Sequence, residues 1–243
     1  KANRADQPRM LLVADLISDD EDLLAQTCSN VVEMANQREA EGFIAVSAQA
    51  RQRFWADRKR TAAISAHTNA FKINEDVVIP LQNLSAYSRG IEIINIRQSI
   101  GNKIDICFGI KHFLQRKKDG LQKQAEPNEL FISKIDFALV RLNAQIQQWE
   151  QWLGHFETPI SEFADEVEFT VQPKDKVIDC LLRNDLRISY REQVKKALEE
   201  IFSGLEYAGL REEFKRIHRE IRDSRLFIAL HMHAGDGNVH TNI

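Results

Sequence analysis

His233-Ala-Gly-Asp236-Gly237-Asn238-Val-His240-Thr-Asn242 reads as two short strands folded back through Asp236-Gly237. Asp-Gly between alternating residues is a strong hairpin signal, because both residue types tolerate the positive φ of a tight two-residue turn. Such a turn predicts Gly235 opposite Asn238, Ala234 opposite Val239 and His233 opposite His240. Directly opposed residues of an antiparallel pair point to one face with Cβ atoms about 5 Å apart. Period-two alternation adds His231 and Asn242 to that face. The hairpin makes the sheet antiparallel and thereby decides the fold class.

Working outward, residues 225–241 supply a strand and its return. Near the start of the chain, residues 10–17 form a short apolar run expected as a buried strand. Ser18-Asp-Asp-Glu-Asp then supplies a cap and acidic first turn for a helix to about Glu39. Gly42-Phe-Ile-Ala-Val-Ser47 is a second expected strand, and Ser47 caps a helix to about Ser65 with Phe54 and Trp55 on its apolar side. Residues 71–80 read as a third strand, closed by Pro80. Between these parts lie long helical patterns at about 82–117, 127–154, 188–203 and 208–222. The second carries an apolar stripe of Phe131, Ile135, Leu139, Leu142, Ile146, Trp149 and Leu153. The expected architecture is α+β: an antiparallel, ferredoxin-like sheet with helices on one face, plus a large all-helical insertion. Residues 1–81 form its first part, 82–222 the insertion, and 223–243 the closing strands.

Bulk properties narrow the function. A net charge of -3 gives no support for a nucleic-acid surface. The three cysteines are widely spaced and form no CxxC pair, which disfavours a disulfide framework or a Cys-based metal cluster. Apolar runs are too short to span a bilayer. The sequence begins at Lys1 without an initiator Met and stops inside an apparent strand, so a fragment of a larger protein is expected.

Two constellations carry chemistry. His233 and His240 can share one divalent ion, for which imidazole favours zinc, with manganese or iron as alternatives. A packed or solvated cross-strand His pair is the plainer reading, and spacing alone names no third ligand. The second constellation is Phe54-Trp55-Ala-Asp-Arg58-Lys-Arg60-Thr61, followed by Lys72-Ile-Asn-Glu75-Asp76-Val77. Arg58 and Thr61 share a helix face, and Lys72 opens the next strand. An Arg fork and a Lys point charge converging on one pocket would hold a substrate carboxylate. A solvated basic helix end accounts for the same residues, since Arg51, Arg53 and Arg60 lie on that helix too.

Together, in this order, these motifs resemble the C-terminal domain of FAD-linked oxidases, the family of flavoprotein D-lactate, D-2-hydroxyglutarate and glycolate dehydrogenases. His233–His240 is similar to its His-x-Gly-Asp-Gly-Asn-x-His hallmark, and the Arg58 and Lys72 segments are similar to its substrate helix and following strand. The resemblance covers residues 9–80 and 225–243, and not the helical block. It implies that His233 and His240 bind a divalent metal, and that Arg58, Lys72 and Asn242 contact substrate, with Thr61 as an equivalent of a family threonine. It implies an FAD-dependent D-2-hydroxyacid dehydrogenase acting on a small 2-hydroxy acid by hydride transfer to flavin. The family's Ser-Gly-Glu-His-Gly segment, which supplies the third metal ligand and the base, is expected beyond Ile243. FAD is expected mainly on an absent N-terminal domain, so the fragment alone would be inactive. The protein is expected to be cytoplasmic, or peripheral to the inner membrane, with no membrane span and no nucleic-acid partner. A reading from another class is a helical interaction module without catalysis, forming homo-oligomers through the insertion; a third is a non-catalytic metal-binding domain.

Overall fold

The computed structural model describes residues 11–38, 40–61, 76–126 and 128–242. The chain divides into two compact units, Lys1–His67 and Thr68–Ile243.

The first unit holds two helices. α1 (Glu21–Asn36) starts where Asp20 Oδ1 accepts a hydrogen bond from the Leu23 N–H at 3.0 Å, with Glu21 and Asp22 in the positive first turn. α2 (Ala48–Thr61) starts where Ser47 Oγ accepts from the Ala50 N–H at 3.1 Å. Phe54 and Trp55 on α2 remain exposed. The two strands expected in this unit do not form. Residues 11–17 and 42–47 have no strand partner among the described residues, and Ile17 and Val46 are 94% and 87% exposed. An apolar run specifies a strand only where a neighbour completes its backbone hydrogen bonds.

The second unit contains the sheet and the helical block. β1 (Asp76–Val78) leads through Pro80 and a 3-10 turn into α3 (Leu84–Gln122), a helix of 39 residues. α4 (Glu129–Gly154) begins under an Asn128 side-chain cap to the Phe131 N–H at 3.0 Å. α5 (Val177–Arg183) follows, a helix not expected from the sequence, ended by Asn184 in the left-handed conformation at φ 63. The helix expected over 188–203 is a π-helical turn (Arg191–Lys195) running into α6 (Lys196–Ile201). α7 (Ala208–Asp223) precedes β2 (Ala229–His233) and β3 (Asn238–Asn242).

The apolar stripe of α4 is the core seam. Ile135, Leu142, Ile146 and Trp149 are buried, and Phe131, Leu139 and Leu153 pack at its margin. Facing them are Ile100, Ile104, Cys107, Ile110 and Leu114 of α3, and α7, packed against α3, adds Leu210, Phe214 and Ile217 to the same core. Phe202, fully buried, joins the layers through edge contacts to Phe131, Tyr207 and Phe214 with centroids 6.3, 5.6 and 5.8 Å away.

The sheet is antiparallel with strand order β1-β3-β2. These three strands do not show the ferredoxin-like arrangement expected. Three side chains of α3 fasten the sheet and α7 to the helical block. Tyr87 Oη lies 3.2 Å from Thr241 Oγ1 in β3. Asn95, buried, donates through Nδ2 to the Ile228 carbonyl and accepts through Oδ1 from the Ile228 N–H, both at 2.8 Å. Asn102 Nδ2 donates to the Ile221 carbonyl at 2.7 Å, satisfying an acceptor near the end of α7.

Candidate functional site

The hairpin pairs in a register other than the one its Asp-Gly step predicts. His231 faces His240 and His233 faces Asn238, so the loop is the four residues Ala234–Gly237 rather than two. A type I′ turn needs positive φ at both central residues. Gly237 supplies it at φ 68, but Asp236 does not, since Asn184 is the only non-glycine described with positive φ. The loop closes instead through Asp236 N–H to the His233 carbonyl at 3.0 Å and Gly237 N–H to the Ala234 carbonyl at 3.4 Å. Its last residue then reaches β1: the Ile79 N–H donates to the Gly237 carbonyl at 2.8 Å.

The displacement is by two residues, and side chains alternate with period two, so every residue keeps its face. His231, His233, Asn238 and His240 therefore share one side of the sheet. The ring centroids of His231, His233 and His240 form a triangle with sides of 6.0, 5.8 and 5.7 Å. His233 is exposed, whereas His231 and His240 are half-buried. In the central strand His240 is flanked by His231 on one side and by the register position of Asp76 on the other. Asn238 Oδ1 is buried and has no hydrogen-bond partner among the described residues.

Three imidazoles and an amide oxygen form a donor set suited to a divalent transition metal. Around one tetrahedral zinc, three imidazole centroids stand roughly 5 Å apart, from zinc–nitrogen bonds of about 2 Å. The triangle is a little wider, and no group of three or more His, Cys, Asp or Glu side chains among the described residues could hold a metal ion as they stand.

Of the residues singled out in the sequence, the structure brings together His233 and His240. Asn242 pairs with Ala229 in the same hairpin. Arg58 and Thr61 lie on α2, in the first unit, and Lys72 lies outside the described residues. His231 was legible as a member of the face and was not counted among the ligands; the His-x-His alternation of β2 is the signal that points to it.

Residues 2–113 match a family model, that of FAD linked oxidases, C-terminal domain. The matched stretch includes α1, α2, β1 and most of α3, so it enters the helical block that the motif resemblance had left out, and it stops before the hairpin. No curated protein and no solved structure matches the chain. No helix among the described residues is long and apolar enough to cross a membrane. Over residues 2–113, this chain is similar to the C-terminal domain of FAD linked oxidases.

Proposed function

We propose that the chain is the substrate- and metal-binding part of an FAD-dependent dehydrogenase that oxidises a D-2-hydroxy acid to the 2-oxo acid. The observation that carries this reading is the gathering of His231, His233 and His240 on one sheet face inside the His-x-Gly-Asp-Gly-Asn-x-His hairpin. The family match over residues 2–113 supports the flavin part of it. The described residues include no glycine-rich phosphate loop, so FAD enters through the family alone.

In this reading His233 and His240 hold the metal, which when bound polarises the substrate hydroxyl as a Lewis acid. Arg58 grips the carboxylate with two parallel N–H donors, and Lys72 adds a point charge that fixes its orientation. Asn242 contacts the substrate beside the histidines. Fixing the carboxylate narrows the directions in which the Cα–H can depart, which is how positioning lowers a barrier. The base that takes the hydroxyl proton lies outside these residues.

The test is anaerobic flavin bleaching in the intact holoenzyme with D-lactate and longer D-2-hydroxy acids. Arg58→Ala is expected to raise KM by about a hundredfold, the loss of roughly 3 kcal/mol from a charge-assisted bidentate contact. Absence of bleaching with every D-2-hydroxy acid, or an unchanged KM in the variant, would refute the proposal.

A further inference from the structure

Away from the hairpin, a groove of about 350 Å³ runs between α7 and the π-helical turn that leads into α6. On α7 its wall is Arg211, Lys215, His218, Arg219 and Arg222, which recur every three or four residues and so share one helical face. The opposite wall is Arg191, Lys195 and Glu199. Tyr190, Leu198 and Phe214, all buried, line it as well.

Both walls carry the same sign, with six cationic side chains and one carboxylate. Part of this charge is answered locally: Lys215 pairs with Glu212 at 2.6 Å, Arg222 with Asp223 at 2.8 Å, Lys195 with Glu199 at 3.6 Å and Arg191 with Glu192 at 3.7 Å. Arg211 Nη1 is tied to the Phe202 and Gly204 carbonyls, neither of which is charged. Arg219 has no ion-pair partner among the described residues. The groove thus keeps a positive excess beside an apolar surface. Elsewhere on α7 charge is matched: Arg216 is bracketed by Glu213 and Glu220 at 2.9 and 2.8 Å.

Aromatic geometry supplies the second observation. The His218 and Tyr190 rings are stacked, 4.6 Å between centroids and 20° between planes. Burial, then Arg222 and Lys195, hold His218 below the usual imidazole range, which favours the neutral ring in the stack. The π-helical turn that follows Tyr190 is a local departure from α geometry of the kind often found at binding sites.

We propose that this groove binds a small phosphate ester with a flat aromatic body, its ring against the Tyr190–His218 stack and its phosphate between the cationic walls. A cavity of this size suits a ligand of mononucleotide scale or smaller. Arginine recognises phosphate through paired donors, and both walls present arginine.

The test is calorimetric titration of the full chain with phenyl phosphate, with inorganic phosphate in parallel. Saturable binding of phenyl phosphate is expected, with inorganic phosphate at least about tenfold weaker, a difference of about 1.4 kcal/mol. Arg219→Glu and Lys195→Glu should each weaken phenyl phosphate by about tenfold or more. Should a charge reversal disturb folding, seen by circular dichroism, Arg219→Gln takes its place with a smaller loss expected. No saturable binding, or full affinity in the folded variants, would overturn the site; equal affinity for the two phosphates would overturn its aromatic component. The readout involves neither flavin nor hydroxy acid, so this proposal and the dehydrogenase reading stand or fall separately.

Discussion

A methyl group on Gly237 would fall 2.1 Å from the Ile79 carbonyl oxygen, and the residue already sits at φ 68. Gly237→Ala therefore combines left-handed strain of about 1 kcal/mol with a backbone collision, for a total loss of about 2 kcal/mol or more in urea unfolding. Gly235→Ala is the contrasting case, because nothing lies within 4 Å of its Cβ and its φ is ordinary; its unfolding midpoint should hardly move. Sequence placed Gly237 in the turn and Gly235 beside it, and could not show the contact that makes Gly237 indispensable, since Ile79 lies far away in the chain. The same limit applies to the histidines: alternation put His231, His233 and His240 on one face, while the Asp-Gly step alone did not give their register. Lys103 gives a pH-dependent case. Burial, aided by Arg225, lowers its ammonium from 10.5 to about 8. Between those values the unfolded chain holds a proton that the folded chain has released, so stability rises with pH there. Cys107, raised by burial from 9.0 to about 12, keeps its proton in the folded state, which offsets the rise above about pH 9 and leaves a net fall once Lys103 has titrated in the unfolded chain as well. Lys103→Met should abolish the rise between pH 8 and 9 in chemical denaturation; an unaltered slope would discount the burial of this lysine.

Among the elements, helices were the more legible in sequence. The cap segment that includes Asp20, the cap at Ser47 and the stripe on α4 are local signals, and the structure uses each of them. Strands depend on partners. The apolar runs at 11–17 and 42–47 resemble strands in composition yet pair with nothing described, whereas residues 76–78 become a strand beside β3. α5 was missed because a seven-residue helix gives too short a period to read; its buried Val177, Ile178, Cys180 and Leu181 owe their place to the core. The attachment of β2 to α3 was not legible at all, since nothing local links Asn95 to Ile228. Replacing Asn95 by Leu would leave the Ile228 N–H and carbonyl without these partners, at about 2–4 kcal/mol for two lost acceptor and donor contacts. Hydrogen exchange at Ile228 and the following residues of β2 should accelerate in this variant; unchanged protection would show that β2 is held by β3 alone.

For the whole molecule, the contrast is between a first unit with exposed apolar residues and a second with a continuous core. α1 has no buried residue, whereas α3 and α4 have seven each. Amide exchange in the native protein should therefore be slowest in the central turns of α3 and α4 and fastest in α1. Equal protection across both units would contradict this ranking. Within the second unit, Tyr87, Asn95 and Asn102 follow one another at intervals of eight and seven residues along α3, close to two helical turns each time. Adding or deleting one residue between them would swing the next anchor by about 100° around the helix axis. A whole inserted turn restores the direction but carries the next anchor about 5.4 Å along the axis, so this stretch of α3 tolerates no change of length. The pitch of one helix sets which length changes this chain can survive in the course of its evolution.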